Sequence, residues 1–282
     1  MTRAGQLTPS TARPITIPVG DSHIAALRSG APDGSPDVLL LPGYTGSKED
    51  FAPLFDPLTD AGFRVTAIDL PGQYESPGPD TASAYTASVL GAAVRAIARA
   101  STAAVHLVGH SFGGLVARAA AIDEPGLFAD VVLMSSGPAA IAGLRRDRIE
   151  ALSLVLPSAG LSGVYAAMQN AVADETGYVP PPTDLAEFLE KRFLAGNPAM
   201  LHGMGDTLLH EPDRVLELAG TRLRLLVLHG EHDDAWPPSV QAAMAERLGA
   251  AHAVVPLAAH SPAVENTLAT VAALVSFWRG GA

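Results

Sequence analysis

The chain contains no cysteine at all, which removes disulfide frameworks, thiolate nucleophiles and cysteine metal ligands together. Aromatic residues make up only 5% of it and charged residues 17%. Basic residues are scarce, 18 Lys plus Arg against 29 Asp plus Glu, for a formal net charge of −11. A polyanionic nucleic-acid backbone would be repelled by that balance, so no nucleic-acid partner is expected. The most basic stretch, Arg145-Arg146-Asp147-Arg148, reads as a solvated helix face. No run approaches the 18 or so apolar residues of a membrane span. The opening Met1-Thr2-Arg3-Ala4-Gly5-Gln6-Leu7 lacks the apolar centre of a secretory signal, so cytoplasmic residence is the expected default. Neither a repeat nor a low-complexity block stands out.

What the chain does have is 48% hydrophobic residues over 282 positions, enough to bury a substantial core. Residues 1–14 read as a loose tail. Ile15–Val19 and His23–Leu27 then suit a hairpin turning at Gly20-Asp21, with Pro18 restricting the first strand to a sheet edge. Val38–Leu41 is a continuous apolar run ending at Pro42-Gly43, as expected of a strand buried on both faces. Helix over Phe51–Ala61, strand over Val65–Ile68, helix over Ser83–Ala100, strand over Val105–Val108, helix over Leu115–Ile122 and strand over Val131–Met134 follow in turn. Such alternation with short connections predicts an α/β fold with a mostly parallel sheet flanked by helices on both faces.

The alternation lapses between Pro138 and Gly220. Helical segments at Leu161–Val172 and Leu185–Leu194 are separated there by Pro180-Pro181-Pro182 and Gly196-Asn197-Pro198. Residues 138–220 are therefore expected to be an inserted helical cap, with 1–137 and 221–282 forming the core. Strand resumes at Leu223–Leu228, helix at Val240–Leu248, strand at Ala253–Val255 and a closing helix at Ala263–Trp278.

Gly109-His110-Ser111-Phe112-Gly113 sits where a strand passes into a helix. So short a motif arises by chance, and a helix N-cap serine would look similar. Its setting gives it weight: a serine at a sharp strand-to-helix turn is held strained, with its hydroxyl above the sheet and glycines permitting close packing around it. A serine hydroxyl needs a base within hydrogen-bond reach and a third group to orient that base. Asp233 follows the Leu225–Leu228 strand and His260 follows Ala253–Val255, both on loops at carboxyl ends of strands, where the sites of open α/β sheets gather.

With these residues in place, the chain resembles the α/β-hydrolase family over nearly its whole length. The strand ending at Pro42-Gly43, the segment Asp69-Leu70-Pro71-Gly72, the elbow at Ser111, the helical insertion and the two later loops all fall in that family's order. The resemblance implies Ser111, Asp233 and His260 as nucleophile, acid and base. It also implies an oxyanion hole made by the backbone N–H groups of Tyr44 and Phe112. Asp233 is preferred to Asp234 for its spacing from Gly230. Two departures stand out: Pro42 where the family commonly has histidine, and Gly72-Gln73-Tyr74 where it often has Gly-x-Gly. Tyr44 and Tyr74 are expected to pack against the cap, Asp69 to accept backbone N–H groups, and His110 to bond locally.

His229, His232, Asp233 and Asp234 raise a metallohydrolase reading. Residues alternating along a strand end put the two histidines on opposite faces, so no metal and no cofactor are expected. The cap supplies Leu161, Val164, Tyr165, Met168, Phe188, Phe193, Met200, Leu201 and Met204, which suits a small-molecule apolar substrate. The expected activity is a carboxylesterase or lactonase working through an acyl-enzyme on a small to medium apolar ester. The same resemblance covers carbon–carbon bond hydrolases, acyltransferases and lyases, and a ligand-sensing protein built on the same pocket. Oligomeric state has no signature in these residues.

Overall fold

A computed structural model describes residues 5–30, 32, 34–173 and 178–280. Among them, eight strands form one sheet: β1 (Arg13–Val19), β2 (Ser22–Arg28), β3 (Asp37–Leu41), β4 (Arg64–Ile68), β5 (Val105–His110), β6 (Phe128–Met134), β7 (Arg224–Gly230) and β8 (Ala251–Val255). Their order is β1-β2-β4-β3-β5-β6-β7-β8. β2 runs antiparallel to β1 and β4, and every later pairing is parallel. Pro18 lies in β1, at the edge, where its missing N–H takes nothing from an inner ladder.

The continuous apolar runs are explained by two cores. Leu39 and Leu41 of β3 enter one cluster with Leu107, Val131 and Val227, packed under α2 (Ala87–Arg99), α3 (Phe112–Asp123) and α8 (Pro238–Leu248). Val38 and Leu40 point the other way, into a cluster with Val65, Val108, Val132, Leu226 and residues of α1 (Phe55–Asp60) and α10 (Thr267–Trp278). A period of two with apolar residues at both phases therefore means a sheet covered on both faces.

Three expected helices are each divided by a local cap or turn. The Phe51–Ala61 segment is a 3-10 helix, Lys48–Leu54, carrying Pro53, before α1 begins. In Ser83–Ala100, Thr86 is extended and its hydroxyl caps α2 by accepting from the Val89 N–H. The closing segment breaks at Asn266, whose side chain accepts from the Ala269 N–H at the start of α10 and leaves Pro262–Glu265 as a short α9. Within the expected tail, residues 5–14 are held: Thr11 bonds Asp56 through both its N–H and its hydroxyl, and β1 starts at Arg13. Residues 1–4 lie outside the described residues.

Between β6 and β7 come α4 (Gly143–Ala173), α5 (Thr183–Leu194), α6 (Pro198–His210) and α7 (Val215–Gly220). Val164, Phe193 and Leu201 form an apolar cluster of their own, whereas Met200 and Met204 join the core under the sheet. The α7 helix packs against α3 and α8. One feature corrects the sequence reading. By length and composition α4 suffices to cross a membrane, with an 18-residue window of mean hydropathy 1.5. Short alanine, serine and glycine residues dilute its leucines and valines, but no charge occurs from Ala151 to Ala173. The span is not one continuous helix, however: Gly160, at φ +61° and ψ −168°, is non-helical and divides it into two shorter stretches, with Pro157 just before.

Arg118 of α3 ties the start of this inserted region to the turn between α6 and α7. It is 1% exposed, pairs with Glu211 at 2.8 Å and donates to the carbonyls of Pro138 and Pro212.

Candidate active site

β3 is flanked by β4 on one side and β5 on the other, so successive connections leave it in opposite directions and open a crevice at the carboxyl ends of β3 and β5. The loop after β3 carries Gly43 and Tyr44, and β5 ends in His110 and Ser111. Ser111 has φ +54° and ψ −120°, a conformation rarely adopted by a residue with a side chain. Its N–H is anchored to the Met134 carbonyl at 2.8 Å. The flanking glycines are required by contact: a β-carbon on Gly109 would lie 2.2 Å from the Gly113 carbonyl oxygen, and one on Gly113 would lie 2.5 Å from that of Leu41. The backbone N–H of Phe112, the first residue of α3, has no acceptor within the helix and lies at the positive end of its dipole.

The structure brings three distant side chains into line. Nε2 of His260 lies 2.9 Å from Ser111 Oγ, and Nδ1 of His260 lies 2.9 Å from Asp233 Oδ1. That network assigns the imidazole proton to Nδ1 and leaves Nε2 to accept from the serine hydroxyl. Asp233 is buried, and its oxygens are filled by donors: Ala235 N–H to Oδ1 at 3.0 Å and Gln241 Nε2 to Oδ2 at 2.9 Å. Burial alone would raise its carboxyl. Bonds from His260, Ala235 and Gln241, with the histidine's charge, outweigh that and hold it at about 2. Asp234, the competing carboxylate, points elsewhere, making two hydrogen bonds to Arg145 of α4 at 2.8 and 3.0 Å.

Gln241 was not visible in the sequence as a functional residue. It sits on α8, fully buried, and its amide also donates to the Trp236 carbonyl at 2.7 Å. Only the fold places a helix eight residues downstream against the second oxygen of Asp233.

The other candidates fall as follows. His110 donates from Nε2 to the backbone carbonyl of His260 at 2.7 Å. Burial and the neighbouring His260 push its pKa down to about 4, so it is a neutral ring that fixes the histidine loop. Asp69 accepts from the backbone N–H groups of Lys48 at 2.8 Å and Glu75 at 3.2 Å, and also from the buried Lys48 ammonium at 2.9 Å. Tyr44 turns its hydroxyl to the Leu201 carbonyl at 2.6 Å, and burial pushes that phenol's pKa up. Tyr74 meets Phe188 edge-on at 5.9 Å. His229 bonds to His252 across β7 and β8, while His232 is exposed. Among the described residues no group of three or more His, Cys, Asp or Glu is placed to hold a metal ion.

A cavity of about 690 Å³ opens over Ser111 and His260, lined on its apolar side by Ile141, Ile149, Leu152, Val155, Met168 and Leu208. Arg145, Arg148 and Arg192 also line it, which corrects the reading of the Arg145–Arg148 stretch as a purely solvated face. Two arginines of the inserted helices α4 and α5 pair with carboxylates that also line the cavity, Arg145 with Asp234 and Arg192 with Asp50.

One pH prediction follows from these groups. Asp233 and His110 both lose their protons well below neutrality, so neither adds an ionisation to a rate profile taken between about pH 5 and about pH 8, the range in which histidine titrates. The acid limb of kcat/KM is expected to follow one protonation, with a slope of one. A slope of two would show a second group titrating in that range, and Asp69, whose carboxyl burial raises to about 6, would be the first to test by substitution.

Comparison with known proteins gives a consistent picture. The model of the alpha/beta hydrolase family matches residues 38–274. A pimeloyl-[acyl-carrier protein] methyl ester esterase of Methylococcus capsulatus is 32% identical over 209 residues, covering 68% of this chain and 78% of that protein. A putative carbamate hydrolase of Variovorax paradoxus is 37% identical over 107 residues, 38% of this chain. In two curated relatives matched at 37% identity, this chain spans only 27% and 40% of their own length. Among solved structures, a carboxylesterase from Nitrososphaera gargenis superposes with a TM-score of 0.79 at 17% identity, covering 94% of this chain and 98% of its own.

Proposed function

The chain belongs to the alpha/beta hydrolase family, and from that premise we propose that it is a serine hydrolase cleaving a small to medium apolar ester or lactone through an acyl-enzyme. The observation that carries this reading is the unbroken relay from Ser111 Oγ through His260 to Asp233, under an apolar cavity.

In the proposed reaction His260 Nε2 takes the Ser111 proton as Oγ attacks the ester carbonyl. Asp233 keeps the imidazole in its working tautomer and balances the imidazolium that forms. Charge gathers on the carbonyl oxygen, where the N–H groups of Phe112 and Tyr44 receive it; one such donor typically contributes about 3 kcal/mol. The imidazolium returns its proton to the leaving alcohol, leaving the acyl group on Ser111. A water molecule, deprotonated by His260, then attacks the acyl carbonyl and releases the acid. A cavity of about 690 Å³ is within the usual range for sites that enclose a whole small ligand.

Two measurements test this together. A fluorophosphonate probe is expected to label the wild-type protein at Ser111, and p-nitrophenyl esters graded in acyl length are expected to show an optimum among short to medium chains. A protein that takes up no probe and turns over no ester in the series would overturn the proposal.

A further inference from the structure

We propose that Gln73 is the positioning residue that aims the Tyr44 N–H at the reacting carbonyl oxygen. The inference rests on the serine-hydrolase reading and extends it to a side chain that the triad and the oxyanion donors leave unexplained.

Gln73 is 1% exposed and all its amide atoms are engaged. Nε2 donates to the Gly43 carbonyl at 2.7 Å and to the Tyr44 carbonyl at 3.2 Å, and Oε1 accepts from the Leu70 N–H at 2.9 Å. Its own backbone is pinned in the same turn, N–H to the Leu70 carbonyl and carbonyl to the Ser76 N–H. The side chain therefore has one orientation, set from both ends.

The consequence lies in the peptide unit. Gly43 C=O and Tyr44 N–H belong to the same trans peptide, so they point in opposite directions from one plane. Holding the oxygen on the Gln73 side turns the N–H away from it. The Gly46 N–H adds a second donor to that oxygen at 3.1 Å. The loop also lies against the nucleophile: a β-carbon on Gly43 would stand 3.2 Å from Ser111 Cβ and 3.6 Å from Oγ. Hydrogen bonding to the carbonyl also polarises the amide, making its N–H a better donor. Gln73 thus fixes both the direction and the strength of one of the two oxyanion contacts, without touching the substrate.

This arrangement belongs to the part of the sequence that departs from the family pattern. Pro42 has no side-chain donor with which to brace the loop after β3. Gln73, in a Gly72-Gln73-Tyr74 turn that also contacts the cap through Tyr74 and Phe188, supplies the brace from the loop after β4.

The test replaces Gln73 by methionine, which keeps the length and loses both donors, and by histidine, which keeps a ring donor. The proposal expects Gln73→Met to lower kcat about 10- to 100-fold with KM within about twofold, since only the charged oxygen feels the loss. Affinity for a trifluoromethyl ketone, which forms a tetrahedral oxyanion adduct, is expected to fall by the same factor as kcat/KM. Gln73→His is expected to recover part of both. Unchanged kcat in a folded Gln73→Met variant would overturn the proposal, as would parallel losses in kcat and in binding of the acid product. If Gln73→Met does not fold, Gln73→Glu decides instead, because its carboxylate faces the Gly43 oxygen without a donor and must show the same paired loss. Wild-type protein inert toward fluorophosphonate would instead overturn the serine-hydrolase reading itself, so the two failures are distinct.

Discussion

Ser111→Ala is expected to lower kcat on the best ester by about 10⁵- to 10⁶-fold and to abolish covalent labelling, while the protein stays folded. The size follows from the chemistry. Without Oγ there is no acyl-enzyme, and the remaining reaction is attack by water held near His260 and the oxyanion donors. Those donors and substrate binding account for a residual rate above the solution reaction. Folding should be little affected, because alanine is smaller and the strained backbone at φ +54° is held by neighbours: the Met134 carbonyl receives the residue's N–H, and Gly109 and Gly113 admit the close approach of strand and helix. A thermal melt within a few degrees of wild type, alongside the loss of burst-phase product, is the expected pair of observations. Retained turnover of a purified variant would remove the serine from the mechanism.

Asp233→Asn is expected to cost about 10⁴-fold in kcat, and Asp234→Asn less than about threefold. Adjacent in sequence, the two carboxylates differ in what they face. Both oxygens of Asp233 are acceptors: His260 and Ala235 donate to one, Gln241 to the other. An asparagine has one acceptor, so whichever way its amide lies, an N–H group confronts a donor. If its NH₂ faces His260, the imidazole must move its proton to Nε2, which then cannot accept from Ser111. Asp234 is exposed and its side chain pairs with Arg145, an exposed pair of the kind that contributes little. Steady-state kinetics of both variants on one ester distinguish them. Equal losses would show that the loop as a whole, rather than one carboxylate, is what matters.

Much of this was legible in the sequence because the fold repeats a local rule. Val38–Leu41 reads as a doubly buried strand since both of its faces are apolar, and the structure sends alternate residues into separate cores. The family was legible too, because the strand ending at Pro42-Gly43, the Asp69–Gly72 segment, the elbow at Ser111, the helical insertion and the Asp233 and His260 loops follow one another in the family's order along the chain. Helix interruptions at Thr86 and Asn266 were less visible: a capping side chain matters only when the backbone turns there, and the apolar spacing continues across both. The apolarity of α4 was hidden for a different reason, since small residues separate its aliphatic ones while charge stays absent for 23 positions.

Composition and local pattern by themselves determined the class of fold, the order of its elements and the residue types that approach the crevice, because those depend on neighbours within a few positions along the chain. Only tertiary structure decided which acidic residue faces the imidazole, that Arg145 and Arg148 line the cavity, and that the buried amides of Gln73 and Gln241 donate to the Gly43 carbonyl and to Asp233. Those choices depend on side chains meeting across separations from 8 to 149 residues, where burial and hydrogen-bond direction, rather than sequence spacing, determine the partner.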